Sequence, residues 1–261
     1  MSIKLQIIST TLLQQYSMQV NAHAAALFDE MHDSALSIAT FSFYISVSAV
    51  FSSRIEGEQI AVDSYIKHKR LGAHLLPDYT RKTDDLYDAY LYAQENKLTE
   101  RNLLHAHTVI TRHILQKGQQ GKVRTGNMFV LTQDGRIEYV AATPDKVKGE
   151  MKKLYADISA LLHVPLSFKE TLYYGAMIHL VFVKIHPFED GNGRTGRLLE
   201  KWFVAEKLGA KAWFVESEKY YYTHHADYYK NIRRLGLDYE QLDYAQALPF
   251  LLMLSASLQS C

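Results

Sequence analysis

The sequence predicts an all-α fold with one small β-hairpin, and three observations lead there. Helix breakers are scarce: 13 glycines and 5 prolines in 261 residues, against the roughly 12% that the two supply together on average. Most of the chain carries apolar residues at helical spacing. One tight-turn dipeptide, Asp134-Gly135, lies between two short runs of strand character.

The elements follow in order. Residues 11–35 read as helical: Ala24, Ala25, Ala26 and Leu27 favour it, and Leu36 and Ile38 continue an apolar side. Phe41 to Val47 alternates apolar and polar residues as a strand does, yet Phe41, Tyr44 and Ile45 also fall at helical spacing, so pattern leaves this segment open. From Asp84 to Lys97, Leu86, Tyr87, Tyr90 and Leu91 share one helical face. Thr99 is suited to cap a helix running to about Gln116, with Gly118 beyond it. Glycines 118, 121 and 126 then mark a change of texture. Phe129-Val130-Leu131 and Ile137-Glu138-Tyr139-Val140 flank Asp134-Gly135 as the hairpin. Thr143-Pro144 opens a helix to about Leu162, which Val164-Pro165 breaks. Ser167 and Glu170 form a capping box for a helix to about Lys184. That helix is apolar nearly all round (Leu172, Met177, Ile178, Leu180, Val181, Phe182), as a central buried helix is. A loop from His186 to Gly191 leads into a helix from about Asn192 to Leu208, and helical segments over 221–235 and 240–258 close the chain.

Composition bounds the function. With 48% hydrophobic and 22% charged residues the chain is globular rather than disordered. Its 29 basic and 28 acidic residues give a net charge of +1, so no global field attracts nucleic acid. Cys261 is the single cysteine, which precludes an internal disulfide framework and fits a reducing, cytoplasmic setting. The last four residues do not place it for prenylation. The start, Met1 to Gln6, lacks a signal-peptide apolar run, and the greasiest stretch, Phe41 to Phe51, is too short to span a bilayer. No membrane and no nucleic-acid partner are expected. With no repeat and no flexible linker, the chain reads as one compact unit with an N-terminal extension.

Chemistry concentrates in His186-Pro187-Phe188-Glu189-Asp190-Gly191-Asn192-Gly193-Arg194-Thr195-Gly196-Arg197. A buried helix ends, a proline forces a turn, and a glycine-bearing loop opens a second helix. Gly191 and Gly193 let backbone amides approach an anion at that helix N-terminus. Asn192 offers a side-chain amide donor, and Arg194 and Arg197, three apart, aim fork-shaped donors at the same anion. Asp190 supplies a carboxylate beside the phosphate cradle, a natural Mg²⁺ position. His186, neutral near pH 7, is placed to take a proton from a hydroxyl. Phe188 reads as a core anchor for the loop and Gly196 as a packing residue. Spacing alone points to phosphoryl or nucleotidyl transfer.

The stretch resembles the signature of the Fic family, H-P-F-x-[D/E]-G-N-G-R-x-x-R, matched here at every specified position. The resemblance covers about residues 84–208 as the catalytic core. It leaves 1–83 as an N-terminal helical extension and 209–261 as C-terminal helices packed on the core. It implies AMPylation, the transfer of AMP from ATP to a Ser, Thr or Tyr hydroxyl of a protein target. His186 would be the base, and Asp190 would hold Mg²⁺ on the α- and β-phosphates. Gly191, Asn192 and Gly193 would form the anion hole, with Arg194 on the phosphates and Arg197 on the γ-phosphate. The hairpin, with Met128, Phe129 and Val130, would be a flap that holds the target by strand addition. Tyr228 or Tyr229 would line the adenine pocket. Upstream, Ser52-Ser53-Arg54-Ile55-Glu56-Gly57 resembles the family's inhibitory motif, [S/T]-x-x-x-E-[G/N]. It implies that Ser52, Glu56 and Gly57 form an inhibitory element on a helix, with Glu56 pairing Arg197 in the γ-phosphate position.

The resemblance also admits removal of AMP, with Glu56 positioning water, as well as self-AMPylation and homo-oligomers formed through helices. A non-catalytic module is the alternative from another class. The residues after Leu208 read as core helices, not as a winged-helix DNA-binding domain. The twelve histidines do not form a metal pattern: His105 and His107, and likewise His224 and His225, diverge in direction.

Overall fold

Several helices of this chain start where a side chain or a proline meets the unsatisfied end of a backbone ladder. The computed structural model describes residues 4–38, 42–73, 75–131 and 137–259. Among these are twelve α-helices and one two-stranded antiparallel sheet. The architecture is therefore all-α with a small hairpin.

The N-terminal region holds two short helices, α1 (Leu13–Gln19) and α2 (Ala24–Glu30), where one was expected. The Asn21 side chain accepts from the His23 amide at 2.9 Å and closes a turn between them. Leu36 and Ile38 do not continue an apolar face; both are exposed.

The ambiguous segment is helical: α3 (Phe43–Ile55), capped by Ser42, whose hydroxyl accepts from Ile45 N. A short helix that pattern did not single out, α4 (Val62–Leu71), follows. Next, α5 (Pro77–Glu95) starts about two turns earlier than expected because Pro77 sits at its first position. Thr99 caps α6 (Glu100–Ile110), accepting from Asn102 N at 3.2 Å. This helix ends before Gln116. The Gln120 amide bonds the carbonyls of Thr111, Arg112 and Leu115, replacing the ladder beyond Ile110.

Strands β1 (Phe129–Leu131) and β2 (Ile137–Val140) pair antiparallel, Phe129 opposite Val140, with a register shift at Val130/Leu131. The turn expected at Asp134-Gly135 lies outside the described residues, as does Cys261. Helix α7 (Pro144–Leu162) runs back along the core. Then α8 (Phe168–Ile185), with its Ser167–Glu170 capping box complete, forms the buried axis of the molecule. It packs on α9 (Asn192–Leu208), α7 and α1. The tyrosine-rich tail breaks at His224 into α10 (Ser217–Thr223) and α11 (His225–Arg233). Two 3₁₀ turns then lead into α12 (Leu248–Ser257), which packs against α8. Helix α3 lies between α5 and α10 and so reaches the N-terminal end of α9.

Candidate active site

The site forms where α8 stops and α9 starts. His186 closes α8 in the left-handed region (φ 53°, ψ 61°), the one non-glycine residue with positive φ among the described residues. Pro187 cannot continue the helix. The carbonyls left over are taken by Arg124, a buried guanidinium. Its Nε donates to His186 O at 2.7 Å, and Nη2 reaches Ile185 O at 3.4 Å. Its other bonds go to Gly126 O (2.7 Å) and Ala142 O (2.5 Å) at the base of the hairpin. One side chain thus fixes the histidine backbone to the flap.

The half-buried His186 ring has Nδ1 3.2 Å from Val183 O. A carbonyl only accepts, so Nδ1 carries the hydrogen and Nε2 the lone pair. Burial, with help from Arg124, pulls the imidazole down to about 4, so near neutral pH it is an unprotonated base.

Phe188 is fully buried. Its ring stacks on His107 with centroids 3.7 Å apart and lies 6.0 Å from Phe182. Asn192 departs from its expected role. Its Oδ1 accepts from Phe188 N at 2.9 Å and its Nδ2 donates to Phe188 O at 2.8 Å. The side-chain amide braces the loop, with its oxygen and one of its two Nδ2 hydrogens committed to Phe188. Asn192 also has its backbone amide in the first turn of α9, where helix amides lack intrahelical partners.

His107 and Arg124 are the site residues that sequence reasoning missed. His107 Nε2 donates to Asp190 O and Nδ1 accepts from Gly121 N, both at 2.9 Å. The divergence of His105 and His107 that argues against metal ligation is what turns His107 inward.

Gly191 precedes α9 with φ 80°, and a side-chain carbon there would come 2.7 Å from Thr111 Cγ2. A side-chain carbon on Gly193 would collide with Glu56 Oε1. The carboxylate therefore lies directly against the glycine backbone. The Asp190 side chain is 54% exposed, and its Oδ1 accepts from Gly191 N at 2.5 Å. Among the described residues no group of three or more His, Cys, Asp or Glu side chains is arranged to hold a metal ion.

The two arginines differ in what holds them. Arg197 is buried. Its Nε donates to Ser52 Oγ (2.8 Å), Nη2 to Ser52 O (3.1 Å) and Glu56 Oε1 (2.7 Å), and Nη1 to the Tyr228 hydroxyl (3.4 Å). Ser52 and Glu56, four apart, share one face of α3 and its cap, and Gly57 follows in the left-handed region at φ 92°. Burial alone would raise the Glu56 carboxyl, but Arg197 and then Arg194 outweigh it and hold it below the usual range. Arg194 is also buried, yet among the described residues its Nε has no partner and its Nη atoms stand 4.0 Å from Asp190 and Glu58. Glu58 is tied to Lys82 at 2.7 Å.

Beyond the arginines opens a cleft of about 170 Å³, open to solvent, walled by Val130, Tyr139, Val183, Tyr229 and Ile232. Tyr228 reaches its edge with the ring buried. On the flap, β2 is paired on its outer side, since Val140 N donates to Leu237 O at 2.8 Å. The opposite edge is β1, where Met128 lies just before the strand, Phe129 is 46% exposed and Val130 lines the cleft.

Residues 97–204, spanning α6 to most of α9, match the Fic/DOC family. The chain carries a Fic domain. A curated relative of that domain, the protein adenylyltransferase Fic of Culex quinquefasciatus, is 32% identical over 113 residues, which are 43% of this chain and 20% of that protein. The chain thus spans about a fifth of the relative's length. A Fic family protein from Desulfovibrio desulfuricans G20 superposes with a TM-score of 0.77 at 18% identity, covering 99% of this chain and 75% of its own. A Fic domain containing signaling protein from Bacteroides thetaiotaomicron VPI-5482 gives 0.63 at 18%, covering 95% and 92%. These likenesses speak for the fold. All twelve residues from His186 to Arg197 fall within the Fic domain, whereas Ser52, Glu56, Tyr228 and Tyr229 lie outside the matched stretch. No helix of the described residues is long and apolar enough to cross a membrane.

Proposed function

We propose that this chain is a protein adenylyltransferase held in check by its own Glu56. The carrying observation is the Arg197–Glu56 pair at 2.7 Å, in which an inhibitory carboxylate lies against the Gly193 backbone and takes the guanidinium for which a phosphate would compete. ATP is the AMP donor. Its phosphates meet the first-turn amides of α9, the unpartnered Arg194 Nε and, once Glu56 leaves, Arg197. A single exposed carboxylate beside a phosphate cradle suits Mg²⁺, which keeps waters and binds through one or two carboxylates plus substrate phosphates; Asp190 would hold it. The ion supplies charge neutralisation there.

The target is a protein bearing a Ser, Thr or Tyr hydroxyl, laid along β1; the same geometry admits self-modification. The hydroxyl oxygen bonds to the α-phosphorus, its proton passes to His186 Nε2, and the bond to the β-phosphate bridging oxygen breaks, releasing pyrophosphate. The chain's contribution is positioning and electrostatics around one base. The single cysteine favours a reducing, cytoplasmic setting, where we place the chain; a homo-oligomer is compatible with the site.

Labelled ATP tests this. Glu56→Gly should raise AMP incorporation at least tenfold over wild type, and adding His186→Ala should abolish it while ATP binding persists. Equal incorporation by wild type and Glu56→Gly would remove inhibition by this residue; incorporation by the His186→Ala form would remove His186 as the base. A second reading rests on the electrostatic influence of Glu56 on His186. A carboxylate beside the histidine is placed to orient water for removal of AMP. Release of AMP from a modified protein by wild type, lost in Glu56→Gly, is the result that would favour it.

A further inference from the structure

Arg197 is held by two different parts of the molecule. Among the described residues it donates four hydrogen bonds; three go to Ser52 and Glu56, and one goes to Tyr228 on α11. Displacing the last turn of α3 removes the first three together, whereas loss of the Glu56 carboxylate alone removes one and leaves the two to Ser52. The guanidinium is 1% exposed, so a partner that stays behind decides where it points.

Tyr228 is itself fixed from behind. Its hydroxyl lies 3.0 Å from His179 Nε2, and His179 Nδ1 lies 3.0 Å from Glu200 Oε2. The other Glu200 oxygen accepts from the Tyr221 hydroxyl at 2.8 Å. All four side chains are buried. The donors and acceptors run in one direction. Glu200 accepts from Nδ1, Nε2 accepts the Tyr228 hydrogen, and the Tyr228 oxygen is left with lone pairs for Arg197 Nη1. A chain ordered this way polarises along its length and ends on a buried carboxyl group.

Resting on the reading of Arg197 as a γ-phosphate group, we infer that Tyr228 is a positioning residue for it. The buried line Glu200–His179–Tyr228 keeps the guanidinium aimed at the γ-phosphate of a nucleoside triphosphate when Glu56 withdraws. Tyr228 thereby sets the preference for triphosphate over diphosphate through its hydroxyl.

The test uses the full chain carrying Glu56→Gly and His186→Ala, which binds nucleotide without turnover, titrated calorimetrically with ATP and with ADP. This parent should bind ATP more tightly. Tyr228→Phe keeps the ring and deletes only the hydroxyl. It should weaken ATP about tenfold, as loss of a hydrogen bond to a charged group does, and leave ADP within about twofold. Glu200→Gln, which changes nothing beside the nucleotide, should move ATP in the same direction and carries the test should Tyr228→Phe fold poorly. Equal weakening of ATP and ADP would reduce Tyr228 to packing, and an unchanged preference for ATP would overturn the inference outright. A parent that does not distinguish ATP from ADP would instead overturn the γ-phosphate role of Arg197, and this inference with it.

Discussion

His186 is the residue on which pH acts. Its folded pKa of about 4 lies below the roughly 6.5 of free imidazole, because burial penalises the cation. The base is therefore unprotonated above about pH 4, and protonation on the acid side of that value removes it. In the Glu56→Gly form a neighbouring carboxylate that raises the value is gone. The acid limb of kcat/KM for that form should fall through about pH 4 and not near 6.5; rates of AMP transfer from pH 3.5 to 8 measure it. A midpoint near 6.5 would show a solvated ring. Much at this scale was legible in sequence, because His186 to Arg197 are consecutive and their chemistry is written in their types. What was not legible depends on partners far along the chain. His107 reaches Asp190 across 83 residues and Arg124 reaches His186 across 62. No spacing rule shows that the Asn192 side chain folds back on Phe188.

At the scale of elements, α3 shows why pattern failed. Alternation over Phe41 to Val47 is as consistent with a strand as with a helix, and Ser46, Ser48, Ser52 and Ser53 of the helix that forms are all buried. Each is spent on a specific bond or a tight helix contact, so polar did not mean exposed. The helix is anchored by a buried cluster. Lys201 Nζ donates to Ser48 Oγ and Glu218 Oε2, each at 2.6 Å, and Tyr90 donates to Glu218 Oε1 at 2.6 Å. Burial would raise the Glu218 carboxyl, but Lys201 outweighs it and holds it down. Removing the cation leaves a fully buried carboxylate unpaired. Lys201→Ala should cost about 3–5 kcal/mol in urea unfolding, and Lys201→Met with Glu218→Gln should recover most of that. The same sign applies to pH. The pair stabilises above the ordinary carboxylate range, and its contribution is lost as pH falls through the lowered Glu218 value. Equal stability of wild type and Lys201→Ala would deny the cluster its anchoring role. The helices opened by Thr99, Thr143-Pro144 and Ser167 were legible because caps and prolines act within four residues; α4 and the break at Asn21 lacked so plain a signal.

At the scale of the whole molecule, the N-terminal region is fastened to the Fic domain. Asp157 on α7 accepts from the amides of Gln6, Ile7 and Ile8 at 2.8–2.9 Å, and Lys169 donates to Ser17 O at 2.7 Å. The inhibition proposed for Glu56 would then be relieved by moving the last turn of α3 while the rest stays packed. On the proposed function Glu56 and ATP would compete for Arg197 in the resting chain, so nucleotide would stabilise the fold less than it would without Glu56. A tenfold difference in affinity is about 1.4 kcal/mol at saturating nucleotide, or roughly 3–5 °C in melting temperature for a chain of this size. ATP should raise the Tm of Glu56→Gly by that much more than it raises wild type, each measured against its own nucleotide-free form. ADP has no γ-phosphate to engage Arg197 and should raise both equally. Equal ATP shifts would mean that the Glu56–Arg197 pair does not oppose nucleotide. A larger shift with ADP as well as ATP would mean that Glu56 closes the whole phosphate site and not the γ-position alone.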